Sequence, residues 1–455
     1  MEKTIAAIST APAPGGIGIV RISGGEAFAV AEKVFRGVSG KKLSQMKGYT
    51  AQLGGAYTPT GEKLDDVVAL VYRGPKSYTG EDVVELSCHG GLYMTKRLLQ
   101  LVLDAGAAPA GPGEFTRRAF LNGKMDLAQA EAVMGLISAS GEQARKAALA
   151  GSTGVLSRKI ESIKQGLLEQ AAHLAAWADF PEEDVPQVEE AALLKGIRQG
   201  EKALEELLQG FDRGRMYREG LVTVIAGRPN AGKSTLMNLL SGCQRSIVTQ
   251  YAGTTRDVVE ETVMVAGVPL RLADTAGIRD TDDPVESIGV QAARQRLETA
   301  QLVLAVFDSS QALEKEDWEL MDALEKVPAI AIVNKSDLPT RMDVEAIQKR
   351  FEKTVSLSAA TGEGLAALEQ ALSEILDTKD FHPQEGVLFT QRQRMDAQTA
   401  LNSLREGEQA LVLGLTLDAV TVCVEDALHA LAALTGEQVS EEIVDRVFEE
   451  FCVGK

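Results

Sequence analysis

The residues whose types and spacing most clearly favour chemistry are Gly227–Ser234, which read G-R-P-N-A-G-K-S. They follow the apolar run Leu221–Ala226, a predicted buried strand, and they precede a predicted helix that begins near Ser234. In this context the backbone N–H groups of the loop face phosphate, the lysine reaches the β and γ oxygens, and the serine hydroxyl binds Mg²⁺. The spacing therefore predicts a nucleotide site with contacts from Asn230, Ala231, Gly232, Lys233, Ser234 and Thr235.

Two further motifs predict which base this site accepts. Asn334-Lys335-Ser336-Asp337 follows the strand-like run Ala329–Val333, and Ser358-Ala359-Ala360 closes the run Thr354–Leu357. The Asp337 carboxylate can accept N1–H and N2–H of guanine, and a backbone N–H of the second motif can meet guanine O6. Adenine lacks that donor pair, so a buried, unpaired carboxylate would discriminate against ATP by ~10⁴-fold. The sequence predicts that the chain binds GTP.

The residues expected to take part in hydrolysis differ from those of Ras-like proteins. Asp274-Thr275-Ala276-Gly277 ends the predicted strand Leu270–Ala273, where the aspartate can hold Mg²⁺ through water and the glycine N–H can contact the γ-phosphate. The next residue is Ile278, which cannot orient a water molecule as the glutamine of Ras-like proteins does. Another group must do so, and the following segment offers Arg279, Asp280, Asp282, Asp283 and Glu286.

A second loop, Gly253-Thr254-Thr255-Arg256-Asp257, is predicted to close over the nucleotide, with Thr255 on Mg²⁺ and the γ-phosphate. Asn230 places a side-chain oxygen in the phosphate loop. Together with oxygens of the second loop, it can hold a monovalent cation where an arginine finger acts in other GTPases. The residues alone leave open whether Asn230 binds a cation or only shapes the loop.

The elements that must position these residues alternate along the chain. Strand-like runs occur at Leu221–Ala226, Glu261–Val265, Leu270–Ala273, Leu302–Phe307, Ala329–Val333 and Thr354–Leu357, with helical stretches between most of them. Such alternation predicts a mostly parallel sheet flanked by helices. Helical stripes precede this region, for example at Asp126–Ser140 and Lys195–Leu208, and helical composition returns after about Thr378, whereas the first 119 residues are rich in glycine and β-branched residues.

Composition limits the class of protein. At 455 residues the chain is too long for one hydrophobic core, and about three domains are expected. Its 47 basic and 65 acidic residues give a net charge of −18, which disfavours nucleic acid except at a local basic patch. Four scattered cysteines without a C-x-x-C pair support neither a disulfide framework nor a zinc ribbon, and Cys88-His89 is predicted to be a buried strand-end pair. We expect a cytoplasmic protein.

These motifs resemble the MnmE (TrmE) family of tRNA-modification GTPases, and the resemblance covers the whole chain. It rests also on Pro14–Gly24, Gly80–Glu85, Gly113–Lys124 and the terminal Phe451-Cys452-Val453-Gly454-Lys455. The family fold is a multidomain α/β plus all-α chain. It implies an N-terminal α/β folate-binding and dimerisation domain (1–119), a discontinuous helical domain (120–218 and 379–455) and an inserted Ras-like P-loop GTPase domain (219–378).

The resemblance also implies roles for individual residues of the GTPase domain. Glu286 matches the family's catalytic glutamate and is expected to orient the attacking water. Asn230, Thr249, Tyr251 and Thr254 match the positions that bind K⁺, with Thr249 and Tyr251 expected to use backbone oxygens. The nucleotide-binding segment is expected to comprise Thr249, Gln250, Tyr251, Ala252, Gly253, Thr254 and Thr255.

Outside the GTPase domain, the resemblance implies that Arg21, Glu85, Lys124 and Lys455 contact a 5-formyltetrahydrofolate or related folate. Basic side chains suit the folate's glutamate carboxylates, and a glutamate can pair with the amino and ring N–H donors of the pterin. Cys452 lies three residues before Lys455, whose charge can lower the pKa of a thiol. Whether Cys452 is a catalytic nucleophile or a structural contact stays open.

The function implied is that of a K⁺-dependent GTPase that modifies C5 of the wobble uridine of certain tRNAs. The family acts as a homodimer with an FAD-dependent partner, MnmG/GidA, and builds an aminomethyl-type group from a folate one-carbon unit. Hydrolysis is expected to drive G-domain pairing and conformational cycling. The alternative is a ribosome-assembly GTPase switch without modification chemistry. The candidates for RNA contact, each also explained as a solvated surface, are Lys41, Lys42, Lys96, Arg97, Arg117, Arg118, Arg213, Arg215, Arg218, Arg392 and Arg394.

Overall fold

The computed structural model describes residues 3–179, 190–243, 261–272, 300–376, 382–449 and 451–454. The chain forms two compact units. The first unit comprises Met1–Met134, Ile160–Val188 and Gln409–Lys455, and the second unit comprises Gly135–Lys159 and Glu189–Glu408. The three-part division by residue number stays a prediction.

The first unit contains a seven-stranded sheet in the order β3-β4-β5-β6-β2-β1-β7. Its pairs are antiparallel except for β1 with β7. The strands are β1 (Ile5–Ile8), β2 (Ile17–Ser23), β3 (Phe35–Gly37), β4 (Thr50–Tyr57), β5 (Lys63–Tyr72), β6 (Val83–His89) and β7 (Ala108–Pro109).

The second unit contains a six-stranded sheet in the order β13-β12-β11-β8-β10-β9. All of its pairs are parallel except the β9–β10 hairpin. The strands are β8 (Leu221–Ala226), β9 (Glu261–Val265), β10 (Val268–Leu272), β11 (Leu302–Asp308), β12 (Ala329–Asn334) and β13 (Lys353–Ser356). The predicted mostly parallel sheet is confirmed, and two of its strands have the predicted bounds.

The described helices occupy much of the remaining chain. They are α1 (Ala27–Val34), α2 (Leu92–Asp104), α3 (Glu114–Leu121), α4 (Leu127–Ile137), α5 (Glu142–Ser152), α6 (Val155–Asp179), α7 (Glu190–Glu219), α8 (Lys233–Cys243), α9 (Lys315–Ala323), α10 (Val344–Gln348), α11 (Leu365–Ile375), α12 (Gln391–Val412), α13 (Leu417–Thr435) and α14 (Glu441–Glu449). Short 3₁₀ turns lie at Leu43–Gln45 and Pro383–Glu385. The predicted combination of α/β and all-helical parts is confirmed. Among the described helices, none has the length and apolarity to cross a bilayer.

Alternation along the strands decides which side chains of the first sheet are available for a site. Val20 and Ile22 of β2 and Val84 and Leu86 of β6 are buried in the core with α1 and α2. Because successive side chains of a strand point to opposite faces, the residues between them lie on the outward face. Arg21 and its cross-strand neighbour Glu85 occupy that face.

The second sheet is built for burial on both faces. All seven residues of its central strand β11 are buried, as expected for a parallel strand covered by helices on both sides. Phe307 of β11 packs with Met321 of α9 and Phe351 in one apolar cluster. The buried polar residues Asp308 and Asn334 lie at the carboxyl edge, where β11 and β12 end.

Candidate functional site

The phosphate loop connects β8 to α8 through a run of unusual backbone angles. Gly227 and Gly232 have φ of 155° and 97°, and Asn230 between them has φ of 61°. A Cβ at Gly232 would lie 2.1 Å from the side-chain nitrogen of Asn334, and one at Gly227 would lie 2.3 Å from the Val306 carbonyl oxygen. Glycine is required at both positions because the loop passes so close to neighbouring strands.

Lys233 is held against this loop. Its Nζ donates hydrogen bonds to the carbonyl oxygens of Gly227 (2.8 Å) and Arg228 (2.7 Å). Ser234 and Thr235 follow in the first turn of α8, and both are exposed. The first N–H groups of a helix have no intrahelical partner, so the ammonium, the hydroxyl and the helix N-terminus offer an anion a positively polarised surface.

Asn334 joins three of the predicted motifs. This residue is 2% exposed and ends β12. Its Nδ2 donates to the Ala231 carbonyl oxygen of the phosphate loop (2.8 Å), and its Oδ1 accepts from the backbone N–H of Ala359 (2.9 Å). Both ends of the buried amide are satisfied, which fixes the phosphate loop relative to the two base-side loops.

The base-side loops present one carboxylate to solvent. Asp337 is exposed, whereas Ser358 is fully buried and closes a turn with Gly362. Lys335 has φ of 62°, and the N–H of Ser336 donates to the Leu357 carbonyl oxygen. Ala360 lies exposed after Ala359. The arrangement places the exposed Asp337 carboxylate on a loop that adjoins the loop of the exposed Ala360.

Several predicted residues lie outside the described residues. They are Thr249, Gln250, Tyr251, Ala252, Gly253, Thr254, Thr255, Asp274, Thr275, Ala276, Gly277, Glu286 and Lys455. Their assignments to Mg²⁺, K⁺, folate and water activation stay predictions.

In the first unit, Arg21 and Glu85 form a partly buried ion pair. Arg21 Nε and Nη2 lie 2.9 and 2.8 Å from Glu85 Oε1, and the two side chains are 16% and 14% exposed. Tyr72 donates its hydroxyl to Glu85 Oε2 (3.2 Å). Burial, followed by the Glu85 charge, raises the pKa of Tyr72, so this hydroxyl remains a donor at neutral pH. The structure thus brings two residues that were predicted as folate contacts into one ion pair, in which each compensates the other's charge.

The C-terminal segment reaches the same pair. Arg21 Nη1 donates to the Gly454 carbonyl oxygen (3.3 Å), and the N–H of Gly113 donates to the Cys452 carbonyl oxygen (3.3 Å). Val453 forms a β-bridge with Pro112. Cys452 is a free, partly exposed thiol. The tail that carries Cys452 therefore lies beside the Arg21–Glu85 pair, while the role of its thiol stays open.

Two other predicted residues are placed differently. Lys124 is exposed and donates to the Pro75 carbonyl oxygen (2.9 Å), so its described bond is to another loop and not to the Arg21–Glu85 pair. The prediction of a buried Cys88-His89 pair is half wrong. Cys88 is buried, but the His89 side chain is 73% exposed and bonds Asp65 (2.7 Å), because strand alternation turns it away from the core.

Two of the arginines considered for RNA contact are internal. Arg118 is 5% exposed and bonds the carboxylates of Glu81 and Glu114. Arg218 bonds the Phe389 carbonyl oxygen and stacks on that ring. Neither is a solvated side chain, and neither is available to a phosphate backbone. Lys41, Lys42, Lys96 and Arg97 are exposed.

Sequence reasoning missed three polar residues of these sites. Asp308 ends β11 and bonds Lys335, Arg228 bonds two carboxylates before and within α9, and Tyr72 bonds Glu85. Position could have indicated Asp308, since the carboxyl ends of parallel strands gather at the ligand-binding edge. Only the tertiary fold indicates the other two.

Comparison with known proteins gives the same family along the whole chain. The family described as "GTP-binding protein TrmE N-terminus" matches residues 4–124, and "MnmE helical domain" matches residues 127–452, a range that encloses the six-stranded sheet. The tRNA modification GTPase MnmE of Alkaliphilus oremlandii is 42% identical, and that of Symbiobacterium thermophilum is 45% identical. Both alignments cover 100% of this chain and 100% of the relative.

Solved GTPase structures match a smaller part of the chain. Era of Aquifex aeolicus bound to GDP and AlF₄⁻ is 27% identical, with 42% of this chain and 67% of that chain covered and a TM-score of 0.28. The G domain of FeoB from T. maritima is 26% identical, with 34% and 98% covered and a TM-score of 0.26.

Proposed function

The chain belongs to the MnmE family of tRNA modification GTPases, and on that premise we propose that its GTP hydrolysis depends on K⁺. Membership makes it a GTP hydrolase that acts in tRNA modification, with GTP, Mg²⁺ and tRNA as ligands. The observation that carries the nucleotide assignment is the buried Asn334, which bonds both the phosphate loop and the Ala359 loop.

Within this proposal, the described residues divide the nucleotide between them. Lys233 and the N-terminus of α8 take the phosphates, and Ser234 supplies its exposed hydroxyl to Mg²⁺. Asp337 accepts from guanine, and the Ala359–Ala360 backbone faces the base edge. The donor set fits these ligands because hydroxyl and carboxylate oxygens suit Mg²⁺ and an ammonium suits phosphate.

For the cation we propose Asn230, Thr249, Tyr251 and Thr254 as K⁺ ligands. Asn230 is exposed in the phosphate loop and has a left-handed φ of 61°, a conformation that asparagine adopts more readily than most residues. A bound K⁺ supplies the positive charge that an arginine finger provides elsewhere, which is worth 10³–10⁵ in rate. Glu286 is proposed to orient the attacking water, with Asp274 and Thr255 on Mg²⁺.

For the first unit we propose a folate site and a homodimer contact. Arg21, Glu85, Lys124 and Lys455 would hold the folate, which supplies a one-carbon unit. Arg21 and Glu85 fit because they present a donor and an acceptor, partly desolvated, on the outward sheet face. The same face exposes Ile17 (65%), Leu53 (57%) and Val68 (40%), an apolar surface that suits a second copy of the chain.

The proposed reaction installs a carboxymethylaminomethyl or aminomethyl group at C5 of the wobble uridine, together with an FAD-dependent MnmG/GidA-type partner. GTP hydrolysis would drive pairing of the G domains and conformational cycling. Because tRNA is the substrate, the reaction is proposed to occur in the cytoplasm. Mass analysis of wobble uridine from cells that lack this protein tests the proposal, and unchanged modification would contradict it.

Two measurements on the purified chain test its parts. We expect hydrolysis in KCl to exceed that in NaCl of equal ionic strength by on the order of 10³-fold. Equal rates would remove K⁺ from the proposal, and Asn230→Ala should abolish the difference between the salts. Calorimetry with 5-formyltetrahydrofolate should give a binding heat that Arg21→Ala weakens. Absence of that heat would favour the ribosome-assembly switch.

A further inference from the structure

The segment that follows β11 contacts both ends of the nucleotide site. This bridging segment, residues 308–317, runs from Asp308 at the end of β11 into the first turn of α9. None of its residues belongs to a nucleotide-binding motif. One end bonds Lys335 on the base side, and the other end bonds Arg228 in the phosphate loop.

On the base side, Asp308 holds the side chain of Lys335. Its Oδ2 accepts from Lys335 Nζ (2.7 Å), and its Oδ1 accepts from the N–H (3.0 Å) and hydroxyl (2.6 Å) of Ser310. The Asp308 side chain is 4% exposed. Burial alone would raise the pKa of this carboxyl, but the bonds from Lys335 and Ser310 lower it, so Asp308 is charged at neutral pH.

The neighbouring Ser309 holds the backbone of the same motif. Its hydroxyl donates to the Lys335 carbonyl oxygen (2.9 Å), and its N–H donates to the Asn334 carbonyl oxygen (3.0 Å). Lys335 has a left-handed φ of 62°, which a lysine adopts only where surrounding contacts maintain it. The bridging segment supplies those contacts. Lys335 lies two residues before Asp337, which is proposed to read guanine, so these contacts also support the position of Asp337.

On the phosphate side, two carboxylates hold Arg228. Arg228 Nη1 lies 2.7 Å from Glu314 Oε2, and Nε lies 2.9 Å from Asp317 Oδ2. Asp317 is 3% exposed and also accepts from the N–H of Glu314, which caps α9. The carbonyl oxygen of Arg228 in turn accepts from Lys233 Nζ. A continuous chain of bonds thus leads from α9 to the phosphate-binding lysine.

We propose that Asp308 and Asp317 are positioning residues of the nucleotide site, Asp308 for guanine recognition through Lys335 and Asp317 for phosphate binding and hydrolysis through Arg228 and Lys233. This inference rests on the proposed nucleotide site. It predicts that Asp308 affects base preference and that Asp317 affects the hydrolysis rate, although they are close in sequence, because each acts through a different motif.

The experiment compares Asp308→Asn and Asp317→Asn in the full chain. For each variant, affinities for GDP and IDP and the kcat for GTP are measured; IDP lacks the 2-amino group that Asp337 reads. A charge-assisted hydrogen bond is worth about a tenfold change. Asp308→Asn should weaken GDP about tenfold, reduce the GDP-over-IDP preference several-fold and leave kcat at saturating GTP nearly unchanged. Asp317→Asn should lower kcat about tenfold and leave the GDP-over-IDP preference unchanged.

Control variants separate positioning from folding. Asp322→Asn removes an exposed ion pair with Arg350 near the end of α9, and it should change neither quantity. If Asp308→Asn fails to fold, Ser309→Ala is measured instead, and if Asp317→Asn fails to fold, Glu314→Gln is measured instead. Both substitutes should have smaller effects in the same directions. Thermal melting of each variant confirms that the fold is retained.

Three outcomes are informative. If the wild-type chain binds no GDP, the proposed nucleotide site is wrong, independently of the bridging segment. If the wild type binds but both variants change affinity, base preference and kcat by equal factors, the two residues only stabilise the domain and the inference is overturned. It is overturned as well if neither folded variant differs from Asp322→Asn.

Discussion

The nucleotide site and the Arg21–Glu85 site are assembled in opposite ways. The phosphate loop is one continuous run between β8 and α8, and Asn334 and Ala359 join it at the ends of parallel strands. In the other site, Arg21 bonds a residue 64 positions away and another that is 433 positions away. The phosphate loop depends mainly on local backbone, whereas the Arg21–Glu85 site depends entirely on bringing distant segments together.

This difference has a consequence for charge. The phosphate loop holds Lys233 through the carbonyl oxygens of Gly227 and Arg228, and its ammonium suits a polyphosphate. The Arg21–Glu85 pair is compensated internally, so a ligand there must exchange one hydrogen bond for another. We therefore expect substitutions in the nucleotide site to cause large losses of nucleotide preference and kcat. Substitutions near the Arg21–Glu85 pair should cause smaller losses of folate affinity, which depend on the C-terminal tail.

The largest expected effect is on base preference. Asp337→Asn replaces an acceptor of guanine N1–H and N2–H by an amide that can donate to the 2-carbonyl of xanthine. The ratio of GTP to XTP affinity should fall by on the order of 10⁴-fold, measured by competition with a fluorescent nucleotide. Glu319→Gln, an exposed residue of α9, is the control. Retained GTP preference would mean that Asp337 does not read the base.

The next effect concerns catalysis. Lys233→Ala removes the ammonium that is held at the loop carbonyls, and kcat for GTP should fall by roughly 10²–10³-fold. Lys315→Ala, whose side chain is 86% exposed, should leave the rate unchanged. Folate binding should be equal in both variants. If Lys233→Ala also weakened folate binding, the nucleotide site and the Arg21–Glu85 site would not be independent.

The C-terminal tail offers the converse test. Gly454 has φ of 97°, and a Cβ there would lie 2.2 Å from the Ile8 carbonyl oxygen. Gly454→Ala should displace the carbonyl that bonds Arg21 and weaken folate binding about tenfold, measured by calorimetry. Gly25→Ala, where a Cβ meets nothing within 4 Å, is the matched control. A change in GTP hydrolysis would contradict the separation.

A further effect, on stability instead of binding or rate, lies in neither site. Burial beside the Glu408 carboxylate raises the pKa of Glu201 on α7 from 4.5 to about 7. The folded chain therefore holds a proton that the unfolded chain has lost, and stability should fall by about 2 kcal/mol as pH rises from about 5 to above 7. Glu201→Gln should flatten the pH dependence of the melting temperature, whereas Glu206→Gln, on the exposed surface of α7, should not. Equal pH profiles for all three proteins would disprove the coupling.

Much of the second sheet could be predicted because each strand is a short apolar run with its motif at the carboxyl end. β8 and β9 have the predicted bounds, and the motif at Asn334–Asp337 follows β12. The phosphate loop was predictable for the same reason, since its conformation depends on glycines within eight residues. Pairwise contacts were not predictable. Arg118 and Arg218 looked like surface arginines but are internal, because burial depends on which carboxylates and carbonyls surround them.

The amino-acid sequence by itself determined the order of the strands and helices, the glycine-dependent phosphate loop and the position of Asp337 after β12, because these follow from periodicity and local backbone geometry. Only the tertiary structure decided that Arg21 pairs with Glu85 and the tail, that His89 faces solvent, and that Asp308 and Asp317 contact the nucleotide motifs. Long-range ion pairs depend on three-dimensional proximity and desolvation, and neither quantity is encoded in the spacing of residues along the chain.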